Sequence, residues 1–110
     1  MVLFEDFAKL DLRVGEITLV EDHDGARKPM YKLTVNFGAE IGTRTIVAGI
    51  KASYSKEELT NKKVVCIVNL DPKTIAGIES QGMLLAAGED AEKISLVTID
   101  RDAEAGSRIH

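Results

Sequence analysis

The chain has 110 residues, a length that allows one domain with one core. Hydrophobic residues make up 45% and charged residues 29%, a composition that excludes disordered and fibrous proteins. The formal net charge of −4 argues against a uniformly basic nucleic-acid binder, and no apolar run approaches the roughly 20 residues of a membrane-spanning helix.

The first predicted elements are a short helix and a long, bent strand. In residues 3–10 the large apolar side chains recur every third position, which predicts one amphipathic helix against an apolar surface. Apolar alternation then runs over residues 12–19, but its parity slips at Gly15. A slip exchanges the two faces of a strand, so we expect a bulge at this glycine.

The second and third strands form the clearest pair. Residues 31–37 alternate apolar and polar side chains, as a half-buried strand does. Residues 38–42 are predicted to be a hairpin connection and residues 43–50 its return strand. Ser55 and Glu58 then match the capping box, in which each side chain covers a free backbone amide. A short helix is therefore expected around residues 56–59.

Two apolar runs, residues 64–70 and 83–87, predict buried strands on either side of a polar segment. That segment contains the turn Asp71-Pro72-Lys73 and the cluster Ser80-Gln81-Gly82, which no core needs. Polar groups at strand ends are typical of surfaces that bind unstacked bases, so we predict a binding edge here. Residues 94–99 are a sixth apolar segment, and residues 101–110 a surface tail or an edge element.

The resulting order is a helix, three strands, a short helix and two strands. It predicts an all-β fold, the five-stranded Greek-key barrel of the oligonucleotide/oligosaccharide-binding (OB) fold, which often binds nucleic acid. The single domain divides into an N-terminal helix (1–10), the barrel (11–87) and a C-terminal extension (88–110). A generic antiparallel α+β domain is the alternative.

The sequence contains no arrangement that indicates catalysis. Cys66 lies inside an apolar run, which favours a core thiol over a nucleophile. The two histidines, in a turn and at the terminus, have no evident metal-binding partners, and no phosphate-binding glycine loop is present. We therefore expect no enzyme activity, metal or cofactor. The acidic N-terminus is unlike a secretory signal, which predicts a cytoplasmic protein.

Positive charge is concentrated in the middle of the chain. Residues 26–73 contain nine basic and four acidic side chains, a net +5, so the remaining residues carry −9. Such segregation predicts a basic face on an acidic molecule.

Five ordered sequence blocks carry a resemblance to a known family. They are 10–15 (LDLRVG), 31–35 (YKLTV), 44–50 (RTIVAGI), 69–73 (NLDPK) and 80–87 (SQGMLLAA). The chain resembles the tRNA-binding domain found at the C-terminus of many methionyl-tRNA synthetases and in freestanding bacterial tRNA-binding proteins. The block beginning Ser80-Gln81 favours the synthetase-type branch over a related chaperone-like branch.

The resemblance implies a non-catalytic module that binds tRNA largely by shape. It also implies a homodimer, with residues 1–10 and 88–110 as the contact, that serves a methionyl-tRNA synthetase catalytic chain by raising its tRNA affinity. Two alternatives stay open, a dimeric secretion-related chaperone and an assembly module of a multisynthetase complex. A membrane partner is not expected.

The predicted RNA contacts fall into two groups. Basic side chains suit phosphates, with Lys32 on the outward face of the second strand and the others in loops or at strand ends. Polar or soft side chains suit bases. Met83 is equally well explained as a barrel-interior residue. Tyr54 could stack on a base, but a cap on the barrel end explains it better. The predicted set is Arg27, Lys28, Lys32, Arg44, Lys51, Asn69, Lys73, Ser80, Gln81 and Met83.

Overall fold

A computed structural model describes residues 1–110. The main elements up to the fourth strand are α1 (Phe4–Ala8), β1 (Leu12–Asp22), β2 (Tyr31–Asn36), α2 (Gly38–Ile41), β3 (Thr43–Ala48), α3 (Lys56–Leu59) and β4 (Lys63–Ile67). Short strands follow: β5 (Lys73–Ile75), β6 (Ile78–Ser80), β7 (Met83–Leu84), β8 (Ala86–Ala87), β9 (Ser95–Leu96) and β10 (Arg108–Ile109).

A curled antiparallel sheet organises the molecule. Its strand order is β3-β2-β1-β4-β7, and β10 pairs with the beginning of β1. The pairs β5–β6 and β8–β9 are separate two-stranded ladders. The expected all-β fold is confirmed, including the β2–β3 hairpin and the short helix before β4. No helix is long and apolar enough to cross a membrane.

The core contains 14 buried residues, most of them from the strands of this sheet. Strand β2 shows why its residues form this element, because Tyr31, Leu33 and Val35 are buried in the core and the residues between them are not. Cys66 is fully buried in the same core, and burial raises the pKa of its thiol to about 12. The predicted core thiol is confirmed.

The bend in β1 was predicted correctly in kind but at the wrong residue. The register of β1 against β2 shifts between Ile17 and Leu19, not at Gly15. Gly15 is required for a different reason: a Cβ atom there would lie 2.5 Å from Val35 Cγ1 and 2.7 Å from Phe37 Cε1. The glycine therefore lets two buried side chains pack directly against the strand backbone.

The capping box of α3 is confirmed in both directions. The Glu58 amide donates to Ser55 Oγ at 3.2 Å, and the Ser55 amide donates to Glu58 Oε1 at 2.9 Å. Hydrogen bonds to the carboxyl from the Ser55 backbone amide and the Ser55 side chain lower the pKa of Glu58.

Two predicted strands are shorter than expected. β4 ends at Ile67, and the predicted buried strand 83–87 is instead two short strands whose residues are half-buried or exposed. The hairpin β5–β6 was not predicted at all. Its turn residues Ala76 and Gly77 have φ values of 47° and 86°, as a tight hairpin turn with two left-handed residues requires.

The two terminal segments differ in how they join the fold. Leu96 of the predicted extension is buried in the core, and its backbone amide donates to the Tyr54 hydroxyl at 2.9 Å. Tyr54 packs against the core, which favours the cap over a base-stacking role. Helix α1, by contrast, buries no residue, and Phe4 is 79% exposed. The apolar surface expected beneath α1 is absent from this chain.

Candidate nucleic-acid interface

A groove of about 490 Å³ lies beside the β5–β6 hairpin. All of its lining residues except Val47 fall within the segment 69–87, where the sequence predicted a binding edge. Its walls come from β3, from the turn after β4 and from the hairpin with the residues that follow it. The lining residues are Val47, Leu70, Asp71, Lys73, Ile75, Ser80, Gly82 and Met83.

A row of paired residues crosses the sheet at this groove. Lys32 of β2 is directly opposite Val47 of β3, and the Val47 amide donates to Ser80 Oγ at 3.0 Å. Ser80 in turn is opposite Lys73 in the β5–β6 ladder. The first and last steps of this row are strand pairs, and a hydrogen bond from the backbone to a side chain joins β3 to the β5–β6 hairpin. The row therefore has a lysine at each end, and its members Val47, Ser80 and Lys73 line the groove.

The two lysines are free to bind an anion. Neither makes an ion pair, since the six ion pairs of the molecule use other cations. Lys32 lies on the face of β2 opposite to its core residues, as its parity predicted. Asp71 is the one carboxylate of the groove lining.

Met83 and Leu70 give the groove an exposed apolar surface. Their exposed fractions are 46% and 41%, so the interpretation of Met83 as a barrel-interior residue is wrong. An apolar surface between two cations suits a ligand that carries both flat apolar faces and negative charge, as unstacked nucleotides do.

Ser80 and Gln81 hold the groove together. Ser80 is buried, and its hydroxyl accepts from the Val47 amide and donates to the Gly82 carbonyl at 3.3 Å. The Gln81 amide donates to the Thr45 carbonyl at 2.8 Å, and Gln81 Oε1 accepts from the Thr45 amide at 3.1 Å. The interpretation that no core needs this cluster is wrong, because it joins the chain to β3. RNA contact by these two side chains stays a prediction.

Arg44 does not share a face with Lys32. It is opposite Val35 and has the parity of Ile46, so it lies on the core side of β3 near the strand end. Its guanidinium donates to the carbonyl of Val68 and, at 3.4 Å, to that of Gln81. The structure therefore does not bring Arg44 and Lys32 together.

Lys51 is also engaged within the fold. Its ammonium lies 2.8 Å from Asp22 Oδ1 and 5.8 Å from the centre of the Tyr31 ring. Lys56 binds the other oxygen of the same carboxylate at 2.9 Å. Hydrogen bonds from Lys51 and Lys56 lower the pKa of the Asp22 carboxyl. Part of the positive charge predicted for this segment is thus neutralised locally.

Asn69 uses both ends of its amide to hold the N-terminal segment. Oδ1 accepts from the Asp11 amide at 2.8 Å, and Nδ2 donates to the Lys9 carbonyl at 2.7 Å. Asn69 immediately precedes the groove residue Leu70, so it links the groove to the exposed N-terminal helix.

Arg27 and Lys28 are exposed in the loop between β1 and β2. His23 at the base of this loop is buried, and its Nε2 lies 2.8 Å from the Ile75 carbonyl oxygen of the β5–β6 hairpin. The loop with its two cations thus neighbours the hairpin that carries Lys73. Sequence reasoning missed His23, for which a lone histidine in a turn was the only signal, and the apolar lining residues Val47, Leu70 and Ile75.

Comparison with known proteins agrees with a nucleic-acid interface. A family profile described as a putative tRNA binding domain matches residues 12–108, nearly the whole chain. The chain belongs to this tRNA-binding domain family. The five sequence blocks that carried the resemblance lie in the matched region or begin just before it.

Similar proteins include a synthetase and a chaperone. The methionine–tRNA ligase of Pyrococcus horikoshii is 51% identical over 108 residues, which are 98% of this chain and 14% of the ligase. The crystal structure of a CsaA chaperone protein from Picrophilus torridus matches all of both chains with a TM-score of 0.93 and 41% identity. The crystal structure of a MetRS-related protein from Pyrococcus horikoshii matches all of this chain and 98% of its own, with a TM-score of 0.88 and 36% identity.

Proposed function

We propose that this domain is a non-catalytic tRNA-binding module that acts beside a methionyl-tRNA synthetase. The observation that carries the proposal is the row from Lys32 to Lys73, with an apolar groove between two unpaired cations. Membership of the tRNA-binding domain family supports tRNA as the ligand, and the similarity to a methionine–tRNA ligase supports a synthetase as the partner. The site of action is then the cytoplasm.

The groove supports recognition by charge and shape more than by a base code. Lysine ammonium groups bind phosphates without sequence information. The side-chain groups of Ser80 and Gln81 that suit base edges already make hydrogen bonds within the fold. Met83 and Leu70 offer contact to any base face. The OB-type barrel assignment fits this use, since β3 and the residues after β6 approach each other at the groove.

A homodimer is part of the proposal. The N-terminal segment exposes a continuous set of large apolar side chains, including Phe4 and Phe7, whose ring centres are 6.3 Å apart. Several large apolar side chains exposed next to one another on a small domain are typical of a protein interface. Two linked copies would raise tRNA affinity through effective concentration, as would tethering to a catalytic chain.

The experiment is tRNA binding by the domain across a salt series, beside an RNA hairpin that lacks the corner of folded tRNA. We expect tRNA binding that weakens steeply with salt, because phosphate contacts release counterions. We also expect weaker binding of the hairpin. Equal binding of both RNAs would contradict recognition by shape, and no binding of either would contradict the proposed function.

A chaperone function is the second candidate. Four of the eight residues that line the groove are hydrophobic, and the Picrophilus torridus protein is described as a chaperone. In that case unfolded peptides, and not tRNA, should occupy the groove, and their apolar contacts should persist or strengthen at high salt. A pure assembly module would instead bind a synthetase chain and no RNA. A salt series that measures binding of tRNA and of an unfolded peptide distinguishes the tRNA-binding module, the chaperone and the assembly module.

A further inference from the structure

One long-range hydrogen bond joins the first loop to the β5–β6 hairpin. His23 Nε2 lies 2.8 Å from the carbonyl oxygen of Ile75, 52 positions away in the sequence. A carbonyl oxygen only accepts, so Nε2 carries a hydrogen and donates it. The ring is 7% exposed, and this is its one polar contact to another element. Nothing in the proposed binding of RNA uses the imidazole directly.

The hairpin depends on such support. Each of its strands has three residues, and an isolated two-stranded hairpin is marginally stable in water. Ser80 fixes its base to β3 through the Val47 amide. Ile75 is the last residue before the turn, so the bond from His23 fixes the opposite end.

His23 is held equally firmly on the loop side. Its backbone amide donates to the Met30 carbonyl at 3.0 Å, and its own carbonyl accepts from the Ala26 amide at 3.3 Å. These bonds close the base of the loop that carries Arg27 and Lys28. A Cβ atom on Gly25 would lie 3.6 Å from the Ala76 carbonyl oxygen, so the loop also packs on the hairpin turn.

We infer that His23 is a positioning residue for RNA binding, which holds the basic loop and the hairpin at a fixed separation beside the groove. Arg27 and Lys28 lie on one of these two elements and Lys73 on the other. The inference rests on the proposed tRNA binding. Without the hydrogen bond, the loop and the hairpin turn would keep only their packing contact, and the relative positions of the three cations would vary.

The test compares His23→Leu, which removes the donor at similar volume, with His23→Gln, whose side-chain amide reaches about as far and keeps an N–H donor. Ser55→Ala is the matched stability control, because it removes the α3 cap, which lies apart from the groove residues. Hydrogen exchange of residues 73–80 reports order of the hairpin. Binding of tRNA across a salt series reports affinity and the number of phosphate contacts.

We expect His23→Leu to speed exchange in residues 73–80, weaken tRNA binding about fivefold and lower the salt slope by about one. His23→Gln should stay within about twofold of wild type, and Ser55→Ala should change neither the slope nor the hairpin. Unchanged hairpin exchange in His23→Leu would overturn the inference, and so would a loosened hairpin with unaltered tRNA binding. If the wild-type domain binds no tRNA, the proposed function fails, while the exchange data still decide whether His23 orders the hairpin.

Discussion

Replacement of the two lysines at the ends of the row tests the binding surface most directly. Lys32→Ala, Lys73→Ala and the double variant each remove an ammonium group that makes no ion pair within the fold. Such surface changes usually alter the free energy of unfolding by less than about 0.5 kcal/mol. A loss of binding therefore reflects the surface and not the stability. Lys93→Ala, an exposed lysine outside the groove lining, is the matched control.

The magnitude follows from the geometry. Lys32 and Lys73 lie on different strands, with Val47 and Ser80 between them in the row. We therefore expect the two side chains to contact different phosphates and their effects to add. Each lost phosphate contact lowers the slope of log K against log salt by about 0.7 to 0.9. For the double variant the slope should be smaller in magnitude by about 1.5. Its binding defect should therefore be about eightfold larger at about 50 mM than at about 200 mM salt.

Filter binding or fluorescence anisotropy with labelled tRNA at four salt concentrations measures these slopes. A double variant with the wild-type slope would refute the assignment of this row to phosphate binding. An equal defect in Lys93→Ala would show that total charge, and not the groove, governs the interaction. If the slope changed in only one of the two single variants, the RNA would contact the lysine that this variant replaces and not the other.

Three further predictions concern stability and assembly. Gly15→Ala should lower the free energy of unfolding by about 1–3 kcal/mol in urea titrations, because its Cβ atom would overlap two buried side chains; unaltered stability would contradict the close packing. Replacing Phe4 and Phe7 together with serine should weaken the proposed dimer at least tenfold in sedimentation experiments, whereas the equally apolar and exposed Leu19→Ser should leave it intact. The pKa of Cys66 is raised by burial to about 12, so the thiol of the unfolded chain ionises first and stability should fall as pH rises above about 9. In Cys66→Ala the part of the stability loss at high pH that comes from ionisation of this thiol should disappear.

The sequence predicted best what depends on local periodicity. Alternation in β2 identified both its core residues and the outward direction of Lys32, because a strand fixes side-chain direction over two residues. The Ser55–Glu58 capping box was equally readable, since both partners lie within one turn. Arg44 could have been assigned to the core side in the same way, because it shares the parity of Ile46 and Ala48. Its positive charge instead favoured a phosphate contact.

What depends on distant partners could not be predicted in this way. Ser80, Gln81 and Asn69 were assigned to RNA because polar side chains without local partners look available, yet their partners lie 33 to 60 positions away. The hairpin β5–β6 was missed because three-residue strands carry almost no periodic signal. His23 was missed for both reasons, as an isolated side chain with a distant acceptor.

The hydrogen bonds that the Ser80 and Gln81 side chains accept from β3 bear on edge-to-edge association. β3 ends the main sheet, and an uncovered end strand offers a template for another chain. Here the outward amides of Thr45 and Val47 are occupied by a glutamine oxygen and a serine oxygen of the same molecule. Two polar side chains thus occupy part of the place of a neighbouring strand, so the contacts that shape the groove also leave β3 with fewer free backbone groups for another chain.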